Sequence, residues 1–531
     1  MADSKQFDAV IIGSGLGGLT AGALLAKAGF GVCVLERNFS LGGAASVYRI
    51  GSVTVEASLH QTSDPRNPRD VKRRILDELG ILDEIEWVST GPLYTVRGGP
   101  LGEPFTLPVG FEAAKDALAQ RFPKQAQRIA RFLDGLDTIH DSLWNLSLAR
   151  EDHSIAKLTR GLSELAPAAA DWRSSLDDVF SREFGGDEAV KCALAANLLY
   201  FGDDPKRMWF IYYALAQGAY IASGGAYIKG GSRQLSLKLA KTITRAGGVV
   251  RLGRAANAIE TDSDGRVAFV RHVNRKSGEG EERIGARVVL ANCAPTVAAE
   301  LLPEPARAAM ERAFGARDLS TSLFCAHFGL SEKPSTVGLS NYSTIVLPEE
   351  LTRFDQYGAS AALLGDAPKG ELPVLGVANF GSIDSGLWET PPVLLSVLGL
   401  DRIGNWRGLA REAAKERRER WLDAILARLE RDHPGLSELV LERSLLTAQS
   451  MQGYLNTPDG AVYGFAPLPP TEPIWAGFPR TPHTPAPGLY LASAFGGEHG
   501  FNGAMLSGAE AAKLAMNDLH GSGERPHTVS G

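Results

Sequence analysis

The sequence predicts an α/β protein, on three observations made within its first forty residues. Residues 7–13 (FDAVIIG) read as a fully buried strand, residues 18–28 (GLTAGALLAKA) as a helix of small residues, and residues 31–36 (GVCVLE) as a second buried strand. That is one βαβ unit. The chain has 531 residues, and at roughly 150 residues per domain it needs more than one hydrophobic core.

The first turn of the unit is GSGLGG, with Gly13, Gly15 and Gly18 at the positions of a dinucleotide-binding fingerprint. Gly13 permits the tight turn and Gly15 lets the backbone approach a pyrophosphate. Gly18 keeps the helix close to the strand, Gly17 beside it is a further candidate cofactor-binding glycine, and the helix N-terminus offers N–H groups to the anion. Glu36 ends the second strand, where a carboxylate can accept hydrogen bonds from a ribose. The turn, its flanking elements and the acid together predict a Rossmann-like, dinucleotide-binding fold.

Composition excludes several other classes. Gly 59 and Pro 29 make up about 17% of the chain, below the ~25–30% of low-complexity sequences. A net charge of −6 provides no general attraction for nucleic acid or an anionic membrane. Cys33, Cys192, Cys293 and Cys325 are too scattered for a disulfide framework or a cysteine metal site, so no metal is expected. The strand-like start leaves no space for a leader, and a cytoplasmic protein is expected. Residues 208–228 carry no charge, but the Gly224-Gly225 pair would stop a membrane helix. A buried core helix capped by Asp204 and Pro205 is expected there instead, with Tyr212, Tyr213 and Tyr220 on the wall of a pocket. Residues 407–432 read as a solvated amphipathic helix stopped by Pro434, and 521–531 as a disordered tail.

Further glycine clusters follow the first. Gly42-Gly43 comes soon after Glu36 and Arg37, Gly230-Gly231-Ser232 precedes a helix, and a strand is expected at 287–295. GAVYG occupies 460–464, and GLYLASAFGGEHGFNGAML near the C-terminus reads as strand, glycine loop and helix. With these motifs in this order, the chain resembles the phytoene desaturase-like flavoproteins, above all their carotenoid isomerase and retinol saturase branches.

The resemblance implies FAD, held in a discontinuous domain of glutathione reductase 2 type built from 1–65, 225–305 and 485–520. An α+β substrate domain would fill 66–224 and 306–484. It implies that Arg37, Gly42, Gly43 and Ala44 join Glu36 beside the cofactor. It also implies that the final helix starts near Asn502 and aims the N–H groups of Gly503, Ala504 and Met505 at the flavin. Where many relatives carry a Pro-Gly-x-Gly loop, this chain has Gly497-Glu498-His499-Gly500. Glu498 and His499 are thus candidate acid/base groups if they point inward, and ordinary caps if they do not. The letters GEH occur near this place in flavin amine oxidases. His60 falls on the histidine of the family's FD-x-G-x-H segment, with Glu56 on its acid and Ser58 in place of its glycine.

Three functions are compatible with these residues. The first is FAD-dependent desaturation, saturation or isomerisation of a hydrophobic polyene, isoprenoid or acyl chain, with dioxygen or a quinone as electron acceptor and peripheral membrane contact. The second is oxidation of an amine. The third is non-catalytic lipid binding, as in Rab GDP-dissociation inhibitors of the same architecture, against which the intact GSGLGG with Glu36 argues.

Overall fold

A computed structural model of the chain describes residues 5–151, 169–202, 204–474, 481–497 and 499–521. Strand Gln6–Ile12, helix Leu16–Lys27 and strand Val32–Glu36 form the expected unit, the two strands pairing in parallel with Ala9 opposite Val32. Their apolar runs are buried on both faces, as a parallel sheet covered by helices requires.

The sheet around this unit is assembled from distant stretches of chain. Val249–Leu252 pairs with Val32–Glu36, and Glu282–Ala291 pairs with the other edge of Gln6–Ile12. Leu489–Leu491 then adds to Glu282–Ala291, again in parallel. Arg254–Thr261 and Val267–Asn274 complete seven strands as an antiparallel extension.

Helix Gly500–Gly521 packs against Leu16–Lys27 through small residues. A Cβ on Gly508 would stand 2.1 Å from the Gly17 carbonyl oxygen, and a Cβ on Gly17 would stand 1.9 Å from that of Ala492. Backbone meets backbone there, so neither position tolerates a side chain.

A second seven-stranded sheet runs in the order Val440–Leu446, Ser322–Leu330, Val393–Asp401, Leu375–Asn379, Ser343–Leu347, Tyr94–Gly98, Phe105–Leu107. Alternation along Ser322–Leu330 divides its two faces. Phe324, Ala326 and Phe328 pack with Trp421, Leu422 and Ile425 of helix Arg411–Asp432, while Cys325 joins a different core that contains helix Phe210–Ser223.

Several boundaries differ from the sequence expectation. The charged helix begins at Arg411 rather than 407, so Leu409 lies ahead of it. The uncharged 208–228 segment divides into helix Phe210–Ser223 and strand Gly225–Ile228, because Gly224 at φ 76 ends the helix. Asp204 does not cap that helix; its carbonyl accepts the N–H groups of Arg207 and Met208 in the turn before it. No helix among the described residues is long and apolar enough to cross a membrane. Of the expected tail, Gly521 ends the final helix and 522–531 lie outside the described residues.

Candidate functional site

One cavity of about 1940 Å³ runs from the glycine turn into the space between the two sheets. Ordinary small-molecule pockets span about 300–1,000 Å³, so there is room for an extended cofactor and a second molecule.

At the nucleotide end, Gly13, Gly15, Gly17, Glu36, Arg37, Gly42, Gly43 and Ala44 all border the cavity. Gly13 sits at φ +99, a conformation that suits glycine, and a Cβ on Gly15 would come within 2.5 Å of Asn292 Nδ2. The Gly42 N–H donates to the Ser14 carbonyl at 2.9 Å, which joins the second glycine pair to the first turn. Buried Glu36 accepts from the Ser14 N–H at 2.8 Å, the Ser14 hydroxyl at 2.7 Å and the Asn38 N–H at 2.6 Å. Those bonds hold the phosphate turn to the end of the second strand, and the Arg37 guanidinium donates to the Gly453 carbonyl at 2.9 Å. A cradle kept open by missing Cβ atoms, with an acid at its far end, fits the pyrophosphate and ribose of FAD. Gly18 does not border the cavity; a Cβ there would lie 2.4 Å from the Gly13 carbonyl oxygen, so its part is helix–strand packing.

The final helix starts earlier than expected, at Gly500. The Gly503 N–H donates to the His499 carbonyl at 3.1 Å and is therefore used inside the helix, as those of Ala504 and Met505 are by position. The first-turn donors belong to Gly500, Phe501 and Asn502. Gly503 and Met505 are buried away from the cavity, and only Ala504 of the expected three borders it.

The other arm of the cavity is aromatic and aliphatic. Tyr212 and Tyr220 border it together with Tyr200, Phe324, Leu398, Met451 and Tyr463. Tyr213 does not: it is fully buried, and its hydroxyl donates to the Leu194 carbonyl at 2.9 Å. One helical position separates it from Tyr212, and that rotation turns it into the core.

His60 borders the cavity with Nδ1 3.2 Å from the Tyr200 hydroxyl. Burial, reinforced by His327, pushes its pKa down to about 3, so the ring is neutral near pH 7. Burial also holds the Tyr200 phenol well above its usual range, with Tyr220 and Tyr463 adding to the effect. Glu56, the acid of the same segment, lies away from the cavity. It accepts from the Ser232 N–H at 2.8 Å, the Ser232 hydroxyl at 2.5 Å and the Tyr227 hydroxyl at 3.0 Å, and so ties down the Gly230–Ser232 turn. The His499 ring borders the cavity between Tyr212, at a centroid distance of 4.8 Å, and Tyr463, at 6.2 Å. Glu498 lies outside the described residues.

Tyr200, Gln61 and Asn502 also border the cavity, yet none was assigned from sequence. Asn502 was legible only as a helix start, and Tyr463 only as a letter of GAVYG.

Comparison with known proteins agrees with this geometry. The rat all-trans-retinol 13,14-reductase is 27% identical over 314 residues, 57% of this chain and 50% of that protein, so the chain spans about half the length of the first curated relatives it matches. A neurosporene-forming phytoene desaturase of Cereibacter sphaeroides is 25% identical over 471 residues, 86% of this chain and 85% of that one. Among solved structures, the cyclohexylamine oxidase of Brevibacterium oxydans superposes with a TM-score of 0.61 at 16% identity, covering 98% of this chain and 100% of the other, a likeness of fold. The family model of flavin containing amine oxidoreductases matches residues 16–516. The chain belongs to that family, and its cofactor is FAD.

Proposed function

We propose that this flavoprotein is an oxidoreductase acting on carbon–carbon bonds of a hydrophobic polyene, isoprenoid or acyl chain, by desaturation, saturation or isomerisation. The observation that carries the reading is the apolar arm of the cavity. The cavity-lining residues of that arm, among them Tyr200, Trp209, Tyr212, Tyr220, Leu398 and Tyr463, include no charged side chain. The charged residues that border the cavity stand elsewhere: Glu36, Arg37 and Arg254 near the nucleotide end, and Arg74, Glu78, Glu510 and Lys513 on the helices Val71–Leu79 and Gly500–Gly521. Such a wall favours hydrocarbon and disfavours a cation that lacks a counter-ion. The rat retinol reductase and the Cereibacter phytoene desaturase, as relatives, support the same bond type.

When bound, FAD supplies two-electron hydride exchange with carbon. The glycine turn with Glu36, and the 42–44 loop with Arg37, hold its nucleotide part. The helix first turn at Gly500, Phe501 and Asn502 presents the positive end of its dipole to the cavity. His60 Nδ1 and the Tyr200 hydroxyl share one hydrogen bond, and the ring is neutral. The pair thus offers hydrogen-bonding groups at the cavity wall without placing a net charge there. Tyr212 and Tyr220 exclude water from the arm. In this reading the cofactor domain is 1–65, 225–305 and 485–520, and the two remaining stretches form the substrate domain. Dioxygen or a quinone takes up the electrons, and peripheral membrane contact delivers the substrate.

A second reading, oxidation of an amine, draws on the rings of Tyr212 and Tyr463 about His499, whose faces would attract a cation. The test is anaerobic. Oxidised and photoreduced holoprotein are offered polyenes, acyl chains and amines while the flavin band near ~450 nm is followed. Bleaching by amines alone would overturn the carbon–carbon reading.

A further inference from the structure

We infer that the side chain of Asn502 is a ligand of FAD, and that Ser63, Asp70 and Lys72 are positioning residues behind it. The argument is a count of hydrogen-bond valences. Lys72 is fully buried and spends its three ammonium hydrogens on the Ser63 carbonyl at 2.8 Å, the Ser63 hydroxyl at 2.9 Å and Asp70 Oδ2 at 3.0 Å. The Ser63 hydroxyl donates its one hydrogen to Asp70 Oδ2. Its two lone pairs accept from Lys72 and from Asn502 Nδ2, the latter at 2.9 Å. Ser63 is then saturated.

A hydroxyl whose hydrogen is already committed can only accept, so the Asn502 amide must face it with nitrogen. Its oxygen therefore lies on the other side, where it accepts from the Thr62 hydroxyl at 2.7 Å. Asn502 keeps one N–H and one carbonyl lone pair, and it borders the cavity beside Thr62. A donor and an acceptor held side by side match the amide-like edge of a heteroaromatic ring, which FAD has and a hydrocarbon substrate lacks. A buried ion pair is a weak source of stability. Here it fixes which way an amide faces.

The inference is independent of the bond that is transformed, since it is read from FAD binding and flavin potential rather than turnover. Asn502→Ala in the holoprotein should raise the FAD dissociation constant about tenfold, followed by the fluorescence of released flavin, and should shift the midpoint potential. Ser63→Ala should raise it severalfold, and the double variant should match Asn502→Ala within about twofold, because Ser63 acts through Asn502. Should Ser63→Ala not fold, Thr62→Val removes the other anchor and should weaken binding in the same way. Folded Asn502→Ala protein with wild-type FAD affinity and potential would overturn the inference, as would additive effects in the double variant.

Discussion

The Nδ1 atom of His60 lies 3.2 Å from the hydroxyl of Tyr200, a residue 140 positions further along the chain, and both side chains border one cavity. Their rings meet edge to face at a centroid distance of 6.0 Å, and Phe380 also meets the imidazole edge to face, at 6.1 Å. A neutral, hydrogen-bonded pair thus stands in the cavity wall.

His60→Ala is expected to leave FAD bound and to lower turnover at least about tenfold, ~1.4 kcal/mol of transition-state stabilisation. Tyr200→Phe should lower it in the same direction, and the double variant should be no worse than the poorer single one. Steady-state kinetics with absorbance-verified FAD occupancy checks this; unchanged turnover in His60→Ala removes the pair from the reaction.

Stability should fall on the acid side. Burial depresses His60 to about 3 and His327 to about 4, below the ~6.5 of an unfolded histidine. Between these values and ~6.5 the unfolded chain binds more protons than the native one, so the contribution is complete above ~6.5 and is lost as pH falls. Each histidine contributes a slope of up to ~1.4 kcal/mol per pH unit. Denaturant melts from pH 7 to 4 should show a shallower decline for His327→Gln, whose side chain can still reach Ser396 and Tyr48; an unaltered slope would mean His327 does not carry it.

Two glycines of the first turn should separate binding from folding. In Gly15→Ala the new methyl meets the amide end of Asn292, a side chain that can shift, so the protein should fold and bind FAD more weakly. In Gly17→Ala it meets the backbone oxygen of Ala492 at 1.9 Å, which cannot shift without parting helix from strand. Overpacking of this kind costs about 1–3 kcal/mol or more. Expression, melting temperature and FAD content of the two variants distinguish the outcomes.

Neighbouring tyrosines should behave differently. Tyr213→Phe leaves the Leu194 carbonyl with one donor fewer, Gln217 Nε2 at 3.1 Å remaining, and should cost up to ~1 kcal/mol of stability with the substrate range unchanged. Tyr220→Ala enlarges the cavity wall and should change KM across chain lengths with little change in FAD affinity. A substrate shift in Tyr213→Phe would contradict its place in the core.

The cofactor turn was legible because it is local: strand, glycines, helix and Glu36 all lie within the first forty residues, and their spacing carries the geometry. The wall opposite it was not. Thr62 meets Asn502 across 440 positions of sequence and Arg37 meets Gly453 across 416, contacts that no periodicity encodes. Tyr213 was misplaced for a smaller reason, since an uncharged helix with a weak polar face does not announce which side is the core.

By itself, the sequence determined the α/β class and the dinucleotide turn, and through the family resemblance that its ordered motifs carry it implied the cofactor. Only the tertiary structure decided which side chains face that cofactor. Strands 6–12, 282–291 and 489–491 must pair before His60, Tyr200 and Asn502 border one cavity. Short-range pattern specifies a backbone turn, whereas a pocket exists only once distant segments have packed.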